Sequence, residues 1–338
     1  MKNNEKIEKL YTGYTQYQLL LFLLLKHPED KIMFILPKYL KDISEKLKVN
    51  YNVKIIEKEK PQLKKIISFI LYYKYIKKLV KELAISKETV LYGDNIINFI
   101  LPEENILCRL EDGTGNYVTK NFENFSTIKQ KMYFWIDAII FYIFFRKKLL
   151  KDSEKNKKRV NKYYATEMAP KNLEYEEKVE RINLKKLWDN KSNEEKKELL
   201  NIFGVKDEIV EKIKGKKIIL FTQPLSEDGI IKEDEKIELY RKIIKKYNKG
   251  EIVIKTHPRE KTSYEVIFED CLVIKETFPS EILSFIEFKP QKAVTIFSGA
   301  VFGFDKNIKI DFYGTEIHPK LFEKFGSCNK IMKTNAYL

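Results

Sequence analysis

Residues 216–255, KKIILFTQPLSEDGIIKEDEKIELYRKIIKKYNKGEIVIK, read as strand, turn, helix and strand. KKIILF (216–221) and EIVIK (251–255) are short apolar runs of the kind that become buried strands, and a helical pattern runs between them from about residue 234 to 247. Two strands joined by one helix predict a parallel βαβ unit. The rhythm continues downstream with CLVIK (271–275) and AVTIF (293–297).

The first 110 residues follow the same grammar. KIMFIL (31–36), YNVKIIE (51–57), TVLY (89–92) and NILCRL (105–110) are expected strands, with helices between them, notably over 61–83. The intervening region differs: an aromatic stretch, MYFWIDAIIFYIFF (132–145), then a basic run, then helical and highly charged sequence to about residue 215. The expectation is an N-terminal Rossmann-like domain over 1–150, a helical, charged bridge over 151–214 and a C-terminal Rossmann-like domain over 215–338. Neither half carries GxGxxG or a Walker motif. Two facing α/β domains with a cleft between them are the arrangement of GT-B glycosyltransferases. Ligands of open parallel sheets bind beyond the carboxyl ends of the strands, so the loops after KIILF, EIVIK and AVTIF are the places to look.

Composition narrows the class. With 338 residues, 43% hydrophobic and 13% aromatic, the chain can bury a substantial core, which excludes disorder and disulfide-stapled miniproteins. A net charge of +15 points at first to nucleic acid, yet only six of the 64 basic residues are Arg, the side chain that phosphate and groove readers favour. A nucleic-acid-binding protein therefore stands as the rival from another class, and no nucleic acid is expected as partner. Cys108, Cys271 and Cys328 lie far apart, without a zinc or disulfide pattern. The apolar run at 17–25 is too short to span a membrane, and no cleavage site follows it, so a cytoplasmic location is expected.

Three histidines, His27, His257 and His318, all precede proline. Only His257 sits directly at a strand's carboxyl end, in Lys255-Thr256-His257-Pro258-Arg259, where two cations suit a phosphate. Glu-Asp-Gly occurs twice after strands, at 111–113 and 227–229, and either Asp is presented as a general base would be; an ordinary acidic turn is the alternative. Ser298 and Gly299 follow AVTIF in a small-residue turn leading into an expected helix, a place for an anion or a plain N-cap. Ser280 is a candidate N-cap, and Glu281 a candidate partner for ribose hydroxyls.

Taken together these motifs resemble the bacterial lipooligosaccharide sialyltransferases, glycosyltransferase family 52, of GT-B fold. The likeness rests on Glu111-Asp112-Gly113, His257-Pro258 and Ser298 in that order, with Thr15-Gln16-Tyr17-Gln18 and Phe221-Thr222-Gln223-Pro224-Leu225 similar to the family's opening loop and first C-domain strand. The resemblance implies inverting transfer of sialic acid from CMP-sialic acid to a hydroxyl of a terminal galactose on a surface glycan, with no metal and no cofactor beyond the donor. Another nucleotide-sugar donor is the alternative within the fold. It further implies Asp112 or Asp228 as base and His257 on the departing phosphate, with Ser298 and Gly299 holding that phosphate. Lys255 and Pro258 would line the cytidine site, Ser280 and Glu281 would meet the ribose, and Gln18, Gly113 and Gln223 would contact substrate. A homodimer is a further implied partner.

Residues 144–162 hold nine basic side chains against Asp152 and Glu154, a net +7 directly after the aromatic stretch. Such a pairing can seat a protein peripherally on the anionic inner face of the cytoplasmic membrane; a core helix followed by a solvated linker is the plainer alternative.

Overall fold

The computed structural model describes residues 6–57, 66–83, 85–112, 128–149, 158–166, 175–286, 288–304 and 308–327. Two compact units divide the chain at residues 195 and 196.

The first unit is built on seven strands, β1 (Lys9–Tyr11), β2 (Ile32–Pro37), β3 (Asn52–Ile56), β4 (Val90–Tyr92), β5 (Leu107–Leu110), β6 (Lys162–Thr166) and β7 (Val179–Ile182). All pair in parallel, in the order β3-β2-β1-β4-β5-β6-β7. The strand order reverses between β1 and β4, the switch point at which loops diverge and ligands bind. Helix Gln16–Leu25 is apolar on every side and buried from Gln18 to Leu24, so it is a core helix. Helices Ile66–Leu83 and Ile128–Phe145 pack on each other: Tyr73 meets the rings of Phe141, Phe144 and Phe145, and its hydroxyl donates to Asp137 Oδ1 at 2.6 Å. The aromatic stretch is thus a helix with one buried side, and Asp137, in its middle, is satisfied by a tyrosine.

The second unit carries β8 (Ile218–Phe221), β9 (Ile252–Lys255), β10 (Leu272–Ile274), β11 (Lys292–Thr295) and β12 (Lys309–Phe312), again all parallel, in the order β10-β9-β8-β11-β12. Its switch point lies between β8 and β11. Helix Glu233–Ile244 buries Leu239, Tyr240, Ile243 and Ile244 in the core beneath this sheet.

Two expectations are corrected. The span 151–214, expected as a helical bridge, contains β6 and β7, which extend the first sheet: β6 pairs with β5 on the side away from β4, and its Tyr163 and Ala165 side chains fill the core there. The helix expected after AVTIF is a five-residue 3-10 turn, Gly299–Gly303, too short to supply an α-helical dipole.

The close approach of the loops after β1 and β4 needs glycine. Gly93 has φ +103°, and a Cβ there would lie 2.7 Å from the Gly13 backbone N. Gly93→Ala is expected to lower stability by on the order of 1–3 kcal/mol, a Tm loss of about 2–4 °C for each kcal/mol. A thermal melt checks this, and an unchanged Tm would mean the two loops separate freely.

Candidate active site

The second unit's site begins where β9 ends. Residues 257–260 form a tight turn in which Glu260 N–H donates to His257 O at 3.0 Å, with Pro258 at the position where its fixed φ favours such a turn. Arg259 N–H donates to His257 Nδ1 at 3.2 Å. The imidazole proton is thereby assigned to Nε2, which is left as the donor. Burial first, then the charges of Arg259 and Lys255, pushes the His257 pKa down to about 4, against the opposing pull of Asp228 and Glu227. His257 is neutral near pH 7, not an imidazolium.

Glu260 organises this turn, and sequence reasoning missed it. Its buried carboxylate accepts from His257 N–H at 2.8 Å, from the Tyr264 hydroxyl at 2.7 Å and from the Thr222 hydroxyl, with Lys236 Nζ 3.9 Å away. Burial raises its pKa, and these hydrogen bonds oppose the rise. One carboxylate thus ties the β8 exit to the His257 turn.

The second Glu-Asp-Gly divides its labour. Glu227 accepts from Lys261 N–H at 2.7 Å and from the fully buried Lys236 at 3.0 and 2.9 Å. Burial alone would raise its pKa, but those donors hold it at about 2. Asp228 instead faces Arg259, whose two terminal nitrogens grip both carboxylate oxygens, Nη2 to Oδ2 at 3.1 Å. Asp228, Arg259 and His257 are therefore gathered at one end of the second sheet.

The other candidate residues of the second unit make contacts of their own. Lys255 is buried and donates to the carbonyls of Thr256 (3.2 Å) and Glu276 (2.9 Å), with its ammonium 4.9 Å from the Phe278 ring centroid. Burial lowers its pKa to about 8. Its first task is to tie the β9 exit to the loop after β10. Gln223 bridges the switch point, since its Oε1 accepts from Phe297 N–H at 3.1 Å. Ser298 accepts from Ala300 N–H at 3.3 Å, capping the 3-10 turn that starts at Gly299. Ser280 does not cap: the residue before helix Ile282–Phe285 is Glu281, and the Ser280 hydroxyl donates to the Glu281 carboxylate at 3.4 Å. Pro258 is exposed at the turn's tip.

In the first unit, the carboxyl ends of β1, β4 and β5 gather Thr15, Gln18, Asp94 and Asp112. Thr15 caps helix Gln16–Leu25 and donates its hydroxyl to Asp112 Oδ1 at 2.6 Å. Gln18 is wholly buried; it accepts from Tyr14 N–H at 2.9 Å and donates to Leu110 O at 3.4 Å, so it holds the loop together. Glu111 is buried and accepts from Thr166 N–H, repeating the division of labour of the second motif. Gly113 lies outside the described residues. Asp94 was not singled out from the sequence. Its carboxylate lies 3.8 Å from Arg109, burial raises its pKa while Arg109 opposes, and its buried Oδ1 has no hydrogen-bond partner among the described residues. In the sequence it is one Asp in YGDN; only the pairing of β4 with β1 and β5 sets it beside Asp112.

Two parallel doubly wound units with polar residues gathered at the strand ends define the GT-B class. The glycosyltransferase family 52 model matches residues 37–321, and the chain belongs to that family. An uncharacterized protein of Haemophilus influenzae is 41% identical over 265 residues, covering 75% of this chain and 80% of that one. Among solved structures, the GT-B domain of a Photobacterium damselae sialyltransferase superposes with TM-score 0.58 at 11% identity, over 90% of this chain and 89% of that one. An α/β-galactoside α-2,3-sialyltransferase of Photobacterium phosphoreum gives 0.58 at 12% identity, over 92% and 90%. A Photobacterium 2,6-sialyltransferase in complex with CMP and lactose gives 0.56 at 11%, over 90% and 70%.

Proposed function

We propose that this family 52 enzyme is an inverting sialyltransferase that moves sialic acid from CMP-sialic acid to a terminal galactose hydroxyl of a lipooligosaccharide or capsular glycan. The observation that supports it most is the placement of His257, a neutral imidazole donating through Nε2 beside Arg259, at the ligand-binding end of the second sheet. In the proposed step the acceptor oxygen bonds to the anomeric carbon as the bond to the CMP phosphate oxygen breaks. The acceptor proton passes to Asp112 or Asp228, and the leaving phosphate is met by the His257 N–H, Ser298 and the backbone N–H groups after it. Glu281 and Ser280 take the ribose. These contacts make the reaction metal-independent.

Incubation with CMP-sialic acid and a lactoside, followed by mass spectrometry, tests the reading. One added sialic acid is expected, with the same yield in the presence of EDTA. No addition across several galactosides, with transfer from another nucleotide sugar instead, would replace the donor assignment while keeping the fold.

A further inference from the structure

Helix Glu233–Ile244 turns Lys236, Leu239, Tyr240, Ile243 and Ile244 inward, at the spacing of a core-facing stripe. The last four belong to the hydrophobic core, but the first is a lysine with no exposed side-chain surface. Its place is unfavourable twice over. Burial strips the ammonium of water, and the first turn of a helix repels a cation.

Three carboxylates offset that cost. Both Glu227 oxygens accept from Lys236 Nζ, at 3.0 and 2.9 Å, while Glu233 lies 3.1 Å and Glu260 3.9 Å away. Each of the three also joins the segment after β8, residues 222–229, to the turn after β9, residues 257–262. Glu227, the neighbour of Asp228, accepts from Lys261 N–H at 2.7 Å. Glu233 accepts from the Ser226 hydroxyl on one side and from the Thr262 hydroxyl, at 2.6 Å, on the other. Glu260, in the turn, accepts from His257 N–H at 2.8 Å and from the Thr222 hydroxyl across the gap. Lys236 stands where all three bridges converge.

We infer that Lys236 is a positioning residue, which fixes the spacing of Asp228 and His257 by drawing the carboxylates that clamp their two loops to one buried point. The inference rests on the part these two residues take in the proposed transfer. The Asp228–Arg259 pair joins the same loops, but Arg259 is exposed and open to solvent. The Lys236 junction is sealed from water, where electrostatic hydrogen bonds are held more firmly. An apolar side chain of similar volume would fill the core equally well and leave the loops without their common anchor.

The test compares Lys236→Met, which keeps the volume and removes the cation, with Lys236→Arg, which keeps the cation. Circular dichroism and a thermal melt establish that each is folded. With CMP-sialic acid and a lactoside, Lys236→Met should lower kcat about 10- to 100-fold, as misplacing a reacting group does, with KM for the lactoside changed less than about threefold. Lys236→Arg should recover most of that loss. In the free protein, a long-range proton–nitrogen spectrum of the His257 ring should show the single Nε2–H tautomer in wild type and Lys236→Arg, and exchange between both tautomers in Lys236→Met. The ring spectrum needs no substrate, so the two failures separate. A wild-type protein that transfers no sialic acid overturns the donor assignment, whereas a single tautomer in folded Lys236→Met, or equal losses of kcat in both variants, overturns the role of Lys236. Where Lys236→Met does not fold, Lys236→Met with Glu227→Gln, which removes the cation and one of its partner charges together, is read in the same way.

Discussion

His257→Ala is expected to lower kcat for sialyl transfer about 10³-fold, within the range that a single acid–base or hydrogen-bonding group contributes, with the fold intact. The size follows from position. The imidazole is fixed at both ends of its turn, by Arg259 N–H on Nδ1 and by Glu260 on its backbone N–H, so Nε2 is aimed before substrate arrives. With the pKa lowered to about 4, the group in the free enzyme is a neutral hydrogen-bond donor. His257→Gln, which keeps a neutral N–H, should therefore retain about tenfold more activity than His257→Ala. Equal losses would mean that proton transfer, not hydrogen bonding, is the histidine's contribution.

The pH dependence follows with a definite sign. An unfolded histidine titrates near 6.5, so as pH falls from there towards 4 the unfolded chain takes up a proton that the folded chain refuses. The stability this residue contributes is present above about 6.5 and is lost as pH falls towards 4. A histidine NMR titration of the free protein should place the His257 midpoint near 4, and binding of the CMP phosphate should raise it. A free-state midpoint above about 7 would remove the neutral-donor account.

The strands legible in the sequence are those buried on both faces, such as IILF and IVIK, because a parallel strand between helices must be apolar throughout. β1, KLY, is three residues long and central; only its pairing with β2 and β4 marks it as a strand. β7 and β12, VERI and KIDF, end their sheets, where one side of the ladder is unpaired and polar residues are tolerated, so no apolar run announces them. β6, KYYAT, is hidden because its aromatic and polar residues mimic neither pattern. The site divides similarly. His257 could be found because a strand end and a proline turn are local features. Glu260 and Asp94 could not, because their significance is the set of partners the fold brings to them: Thr222, Tyr264 and the His257 backbone for one, Arg109 and Asp112 for the other.

One of Asp112→Ala and Asp228→Ala is expected to lower kcat about 10³-fold, as loss of the base should, and the other by less than about tenfold. The two carboxylates are held differently, and this makes the result interpretable. Asp228 has both oxygens on the Arg259 guanidinium, a half-exposed pair of the kind worth about 0–1 kcal/mol, which a substrate can displace. If Asp228 is the base, Arg259→Ala removes the guanidinium that orients its carboxylate, so kcat should fall by about tenfold or more while Thr15→Val leaves it in place. Asp112 instead accepts one hydroxyl hydrogen bond from Thr15 and makes no ion pair among the described residues. If Asp112 is the base, Thr15→Val removes the hydroxyl that orients it and should lower kcat by about tenfold, and Arg259→Ala should lower it less. Which of the two second substitutions lowers kcat thus identifies the residue independently of how far either alanine variant falls. Equal, mild losses in both, with kcat little changed by either second substitution, would mean that neither aspartate takes the acceptor proton. Asp94, a carboxylate beside Asp112 with a raised pKa and an Oδ1 that has no hydrogen-bond partner among the described residues, would then be the one to replace next.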